Sequence, residues 1–154
     1  MFRLESDLRK WMRDGFGDKA RWVEPARGST IGLPDCWMPV LGSRIPVWVE
    51  LKLAELKAGR LIFTIRPEQR KQLTSMLRDN AVVGLIAGEK QGSMVWAMAI
   101  NDQTLSGDVD INEGLKDGWL TELSKTPIVG SGQGVYFIFY YTMAKDAGLP
   151  SVVD

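Results

Sequence analysis

Val47-Trp48-Val49-Glu50-Leu51-Lys52-Leu53 decides how this chain is read. Its alternation predicts a strand with Val47, Val49, Leu51 and Leu53 on one face and Trp48, Glu50 and Lys52 on the other. Upstream, Asp35 to Leu41 reads as a first arm, Gly42-Ser43 as a turn and Ile45 to Leu53 as the returning arm of a hairpin. Pro39 and Pro46 suit edges or strand starts. Asp35 opens the first arm, so the hairpin is expected to bring it beside Glu50. Two carboxylates and the Lys52 ammonium would then converge at one sheet edge.

Working outward, residues 2–14 predict an amphipathic helix, with Leu4, Leu8 and Trp11 at i, i+4, i+7, Met12 beside them and Gly15 at the end. Lys19 to Val23 reads as a short strand and Ala26 to Gly32 as a loop. Leu61 to Ile65 is a further strand. Pro67 suits a first helical position, and Glu68 to Asn80 reads as a helix. Its apolar stripe is Leu73, Met76 and Leu77, with Gln69 on the same side. Arg70, Lys71, Thr74 and Arg78 face away. Val82 to Ala87 and Met94 to Ile100 read as buried strands joined across Gly88 to Gly92. Asp110-Ile111-Asn112-Glu113 resembles a capping box before a helix to about Lys125. Gly130 to Gly134 reads as a turn and Val135 to Thr142 as a last strand. The order predicts an α/β fold, a single mixed central sheet flanked by helices, in one domain over residues 1–154.

The chain has 154 residues, 45% hydrophobic and 25% charged, as expected of one globular domain with a sizeable core. Its single cysteine, Cys36, permits no intrachain disulfide and points to a reducing compartment. The charged start, Met1 to Asp7, is unlike a secretory signal, and the longest apolar run, Val135 to Tyr141, falls short of the ~20 residues of a membrane span. A cytoplasmic protein without a membrane partner is the expectation. There is no histidine. That excludes the serine–histidine and cysteine–histidine hydrolases and most zinc enzymes, and leaves acid–base work to carboxylates, lysine, tyrosine or water on a metal. Net charge is zero, yet residues 1–90 carry 16 Lys+Arg against 11 Asp+Glu, and residues 91–154 carry 3 against 8. A basic first part suits an anionic partner, while chance segregation of surface charge is the plain alternative.

A carboxylate pair beside a lysine has a definite chemical use. Two close carboxylates repel one another, and a divalent cation relieves the repulsion. Oxygen ligands with retained waters suit Mg²⁺ or Mn²⁺, which lowers the pKa of a water and stabilises charge on a phosphoryl oxygen. Lys52 can orient that water or neutralise the developing charge. This is phosphodiester hydrolysis without histidine.

At Pro34-Asp35 and Glu50-Leu51-Lys52 the sequence resembles the PD-(D/E)XK nuclease superfamily. Glu5, on the first predicted helix, is similar to the acidic residue that many such nucleases carry there to hold a metal-bound water. Gln69, at the start of the helix after the signature, matches the branch that includes Holliday-junction resolvases and VRR-type nucleases. The resemblance covers about residues 2–100. It implies a restriction-endonuclease-like core and a Mg²⁺- or Mn²⁺-dependent endodeoxyribonuclease from a phage or prokaryote, acting on branched or duplex DNA in recombination or repair. It implies a homodimer as well, because two strands must be cut. Asp35, Glu50 and Glu5 would be the metal residues, and Lys52 and Gln69 would complete the catalytic set. Residues 101–154 remain an acidic extension of the same domain, able to supply a dimer interface or to cover the core.

Plainer readings stand beside each of these. Glu50 and Lys52 make an ordinary strand ion pair, Asp35 a turn residue, Glu5 a solvated helix position and Gln69 a helix cap. Arg70, Lys71 and Arg78, with Arg27, Ser29 and Thr30 in the loop before Asp35, are the DNA-binding candidates, against the reading of a solvated basic surface. A nuclease-like fold that binds DNA or protein without cutting, and an assembly protein joined through its unlike halves, are the rival functions. Asp108 to Asn112 opens like a calcium loop, but Glu113 stands where glycine belongs. Gly130 to Gly134 precedes a strand, unlike a phosphate loop. Cys36 reads as a core thiol, and Trp37 and Trp48 as hairpin neighbours, with Trp48 able to wall the cleft.

Overall fold

The computed structural model describes residues 1–16, 21–23, 32–38, 46–79 and 81–123. In chain order these form α1 (Glu5–Phe16), β1 (Arg21–Trp22), β2 (Cys36–Met38), β3 (Val47–Lys57), β4 (Arg60–Ile62), α2 (Pro67–Arg78), β5 (Val82–Glu89), β6 (Val95–Ala99), α3 (Asp102–Ser106), β7 (Asp108–Asp110), α4 (Ile111–Asp117) and β8 (Leu120–Glu122). The turn at Gly42-Ser43, the Gly130 to Gly134 segment and the strand expected over Val135 to Thr142 lie outside the described residues.

One mixed sheet runs in the order β1-β2-β3-β5-β6-β8, with β4 on the far half of β3 and β7 on β4. β1, β2 and β3 are antiparallel neighbours, and β3 and β5 pair in parallel from Val47↔Val82 to Ala54↔Glu89. Parallel neighbours need a crossover, which α2 supplies. β5 is buried along nearly its whole length, the apolar run expected of a strand covered on both faces. This is an α/β fold with a mixed central sheet. β3 lies inside it, so the acidic cluster stands not at a sheet edge but at the end of the short β2 ladder.

The alternation of β3 separates two cores. Val47, Val49 and Leu51 pack with Leu8 and Met12 of α1, and Leu53 joins them. Trp48 and Ala54 belong to the opposite layer, with Leu73, Met76, Leu85 and Trp96. Glu50 and Lys52 share the parity of Trp48 and Ala54, which turns them toward the α2 side. Every predicted pairing of faces along this strand holds.

Three expectations need correction. The first helix starts at Glu5, not residue 2, because Asp7 Oδ2 accepts from the N–H groups of Arg3 and Leu4 and caps the turn there. Leu4 is consequently 65% exposed, and its place in the core is taken by Phe2, whose N–H donates to the Gly92 carbonyl. The helix expected to reach Lys125 stops at Asp117. Asp110 does cap its start, accepting from Glu113 N–H, but Gly118 turns left-handed at φ 83° and releases the chain into β8. α3 and β7 were not anticipated. β7 pairs with β4, and Arg60 bridges Asp108 at 2.6 Å and Asp110 at 3.5 Å, so these acids serve a surface ion cluster rather than a calcium loop.

Candidate active site

Four of the residues singled out in the sequence, Asp35, Glu50, Lys52 and Gln69, meet where the β2–β3 ladder ends. The ladder between these strands ends at Cys36↔Val49, leaving the Leu51 N–H beyond it, and Asp35 fills the gap by accepting it at Oδ2 over 2.8 Å. This bond fixes Asp35 beside Glu50. Glu50 is only 2% exposed. Its Oε1 accepts from Gln69 Nε2 at 3.0 Å and lies 3.8 Å from Lys52 Nζ. Lys52 Nζ in turn donates to Gln69 Oε1 at 2.8 Å.

Gln69 occupies this position because of how α2 begins. Pro67 is the first helical residue and Gln69 the third, so the side chain turns back, and its Oε1 also accepts the Arg66 N–H at 3.0 Å. The capping role and the site role of Gln69 are thus one structure. Gly32, at φ +84°, lets the chain preceding Asp35 lie on the same helix start: a Cβ there would meet the Glu68 carbonyl oxygen at 2.5 Å. Gly32→Ala is expected to lower stability by about 1–2 kcal/mol, read from denaturant midpoints, and to loosen Asp35 with it. A variant as stable as the wild type would contradict this packing.

Burial, first, and the neighbouring Asp35 charge, second, push the Glu50 carboxyl well above its ordinary range, with Lys52 opposing. Glu50 Oε2 is buried and has no hydrogen-bond partner. Glu5, on the exposed first turn of α1, lines an open cleft of about 420 Å³ with Lys52, Glu55, Thr64 and Lys90. Partial loss of its water and then the Asp35 charge raise its pKa, so it lies within electrostatic reach of the pair.

Arg9 was not anticipated. Its guanidinium donates to Asp35 Oδ1 at 2.9 Å and sits 5.4 Å from the centre of the Trp22 ring, which Arg13 also approaches at 5.0 Å. The signal available in the sequence was its place four residues after Glu5, on the same helix face.

Among the basic candidates, Arg70, Lys71 and Arg78 are exposed and line one groove of about 540 Å³ on α2, together with Pro67, Thr74 and Ser75. Arg27, Ser29 and Thr30 lie outside the described residues. Trp37 and Trp48 face one another across the β2–β3 ladder with ring centres 6.3 Å apart. Cys36 is a buried core thiol, and burial pushes its pKa up to about 12, which removes it as a nucleophile.

Among the described residues, no group of three or more acidic or thiol side chains is arranged to hold a metal. The Asp35–Glu50 pair does fit a hard divalent cation, which Mg²⁺-binding proteins commonly hold with one or two carboxylates and water. The unpartnered Glu50 Oε2 and the repulsion between the two acids are both relieved by such an ion. The chain matches no protein-family model, and no curated protein is significantly similar to it.

Proposed function

We propose that this chain is a Mg²⁺- or Mn²⁺-dependent endodeoxyribonuclease of the PD-(D/E)XK kind. The observation that carries the reading is the buried Glu50–Gln69–Lys52 network with Asp35 fixed alongside it. A mixed central sheet flanked by helices is the architecture that the resemblance implies, which supports the same reading.

Asp35 and Glu50 would hold the cation, and the ion would supply an acidified water and charge neutralisation at a phosphoryl oxygen. Lys52 presents an ammonium at the cleft wall, held in direction by Gln69, where it orients the attacking water or offsets negative charge on the phosphoryl group. Glu5, which lines the same cleft, would orient that water or take its proton. Arg70, Lys71 and Arg78 offer a phosphate-binding surface on the helix that carries Gln69. Backbone and shape recognition of branched or duplex DNA is the proposed mode, by a homodimer able to cut both strands.

The test is cleavage of a four-way junction beside its component duplexes, with Mg²⁺, Mn²⁺ or EDTA. Metal-dependent cutting that is absent in Glu50→Ala supports the proposal. Cutting that persists in EDTA overturns it. A second reading, a nuclease-like fold that binds DNA without cutting it, is favoured by the lack of a three-carboxylate ligand set among the described residues. Metal-independent DNA binding with no cleavage of any substrate would select that reading.

A further inference from the structure

The Arg9–Asp35 pair sets a problem for the proposed site. A guanidinium that is partly exposed sits on one oxygen of a carboxylate that would have to accept a divalent cation, and two positive charges would compete for Asp35. Asp35 does not need Arg9 for its position, because its other oxygen is fixed by the Leu51 N–H. The same guanidinium already lies 5.4 Å from the centre of the Trp22 ring, which Arg13 shares at 5.0 Å, so its attraction to that ring persists when Asp35 is released. It also stands one helical turn from Glu5, which opens onto the cleft.

We propose that Arg9 is an exchangeable counter-charge: it neutralises Asp35 while the site holds no cation, and swings along the Trp22 face to bind a substrate phosphate once a cation has taken its place. This rests on the proposed function above and adds to it a substrate-binding residue with a metal-gated role. Planar, two-pronged donors suit both partners, as guanidinium groups pair alike with carboxylate and phosphate. The exchange keeps Asp35 paired with a positive charge whether or not the site holds a cation.

Two opposed effects follow for Arg9→Met. Removing the competing charge tightens binding of Mn²⁺, measured by paramagnetic titration without DNA, by about tenfold. Removing a phosphate ligand weakens duplex DNA binding in Mn²⁺ and lowers the slope of log affinity against log salt by about 0.9, in a Lys52→Met background that stops turnover. In EDTA, with Arg9 held on Asp35, the salt slope stays that of the parent. Arg9→Lys retains the charge and gives intermediate values for both. A purely structural anchor would instead weaken Mn²⁺ and DNA together, and equal Mn²⁺ affinity in Arg9→Met and wild type would overturn the exchange. If the wild type takes up no Mn²⁺, or Asp35→Asn binds it equally well, the proposed metal site itself has failed rather than the role of Arg9.

Discussion

Lys52→Ala and Glu50→Ala are each expected to lower metal-dependent DNA cleavage by about 10²–10⁴-fold, measured as single-turnover rates. The two residues fail for different reasons. Without Lys52, Gln69 Oε1 loses one of its donors, Glu50 loses the cation 3.8 Å away, and no ammonium faces the cleft. Without Glu50, Gln69 Nε2 loses its buried acceptor and the carboxylate pair is reduced to Asp35 alone. Because the side chains act as one network, the double variant should be hardly slower than the worse single one. Gln69→Ala should cost less activity, and some stability as well, since the same side chain caps α2. Unchanged cleavage in both single variants would place the chemistry elsewhere.

Glu50→Gln is expected to be more stable than the wild type in EDTA at neutral pH, on the order of 2–3 kcal/mol, measured by denaturant unfolding. The amide keeps the acceptor used by Gln69 Nε2 and supplies a donor toward the nearby Asp35 without having to take up a proton. The pH dependence follows from the sign of the shift. Folding raises the Glu50 pKa above its ordinary value of 4.5, so between the unfolded and folded values the native chain holds a proton that the unfolded chain has released. Stability from this group is therefore full below about 4.5 and is lost as the pH rises through the folded value. The advantage of Glu50→Gln should shrink toward nothing in that acidic range and widen with rising pH. A constant gap at all pH values would show that Glu50 is not held protonated by its surroundings. The predicted widening marks a site in which function opposes stability, a buried acid being retained where an uncharged amide would be more stable.

Local rules in the sequence reached the heart of this arrangement. Period-two alternation over Val47 to Leu53 separated the two cores, and Pro67 set the register that turns Gln69 inward. What escaped was set by contacts distant in sequence. β7 and β8 are three residues each, too short for any periodicity, and exist because β4 and β6 offer them edges. Gly118 ended a helix that composition alone would have continued. Arg9 reaches an acid 26 residues away across a helix-to-sheet contact, and no spacing rule encodes such a pair. The hairpin pattern brings Asp35 beside Glu50 as a strand neighbour. In the structure it acts as a side-chain cap on the Leu51 N–H, one step beyond the end of the ladder.

Thermal melting with and without Mg²⁺ or Mn²⁺, on the wild type and on the double variant Asp35→Asn with Glu50→Gln, weighs the central claim most directly. If these two carboxylates share a cation, either ion raises the melting temperature of the wild type through binding to the folded state, and the double variant shows no rise. An equal rise in both proteins, or none in the wild type at millimolar ion, would contradict a metal site built on Asp35 and Glu50.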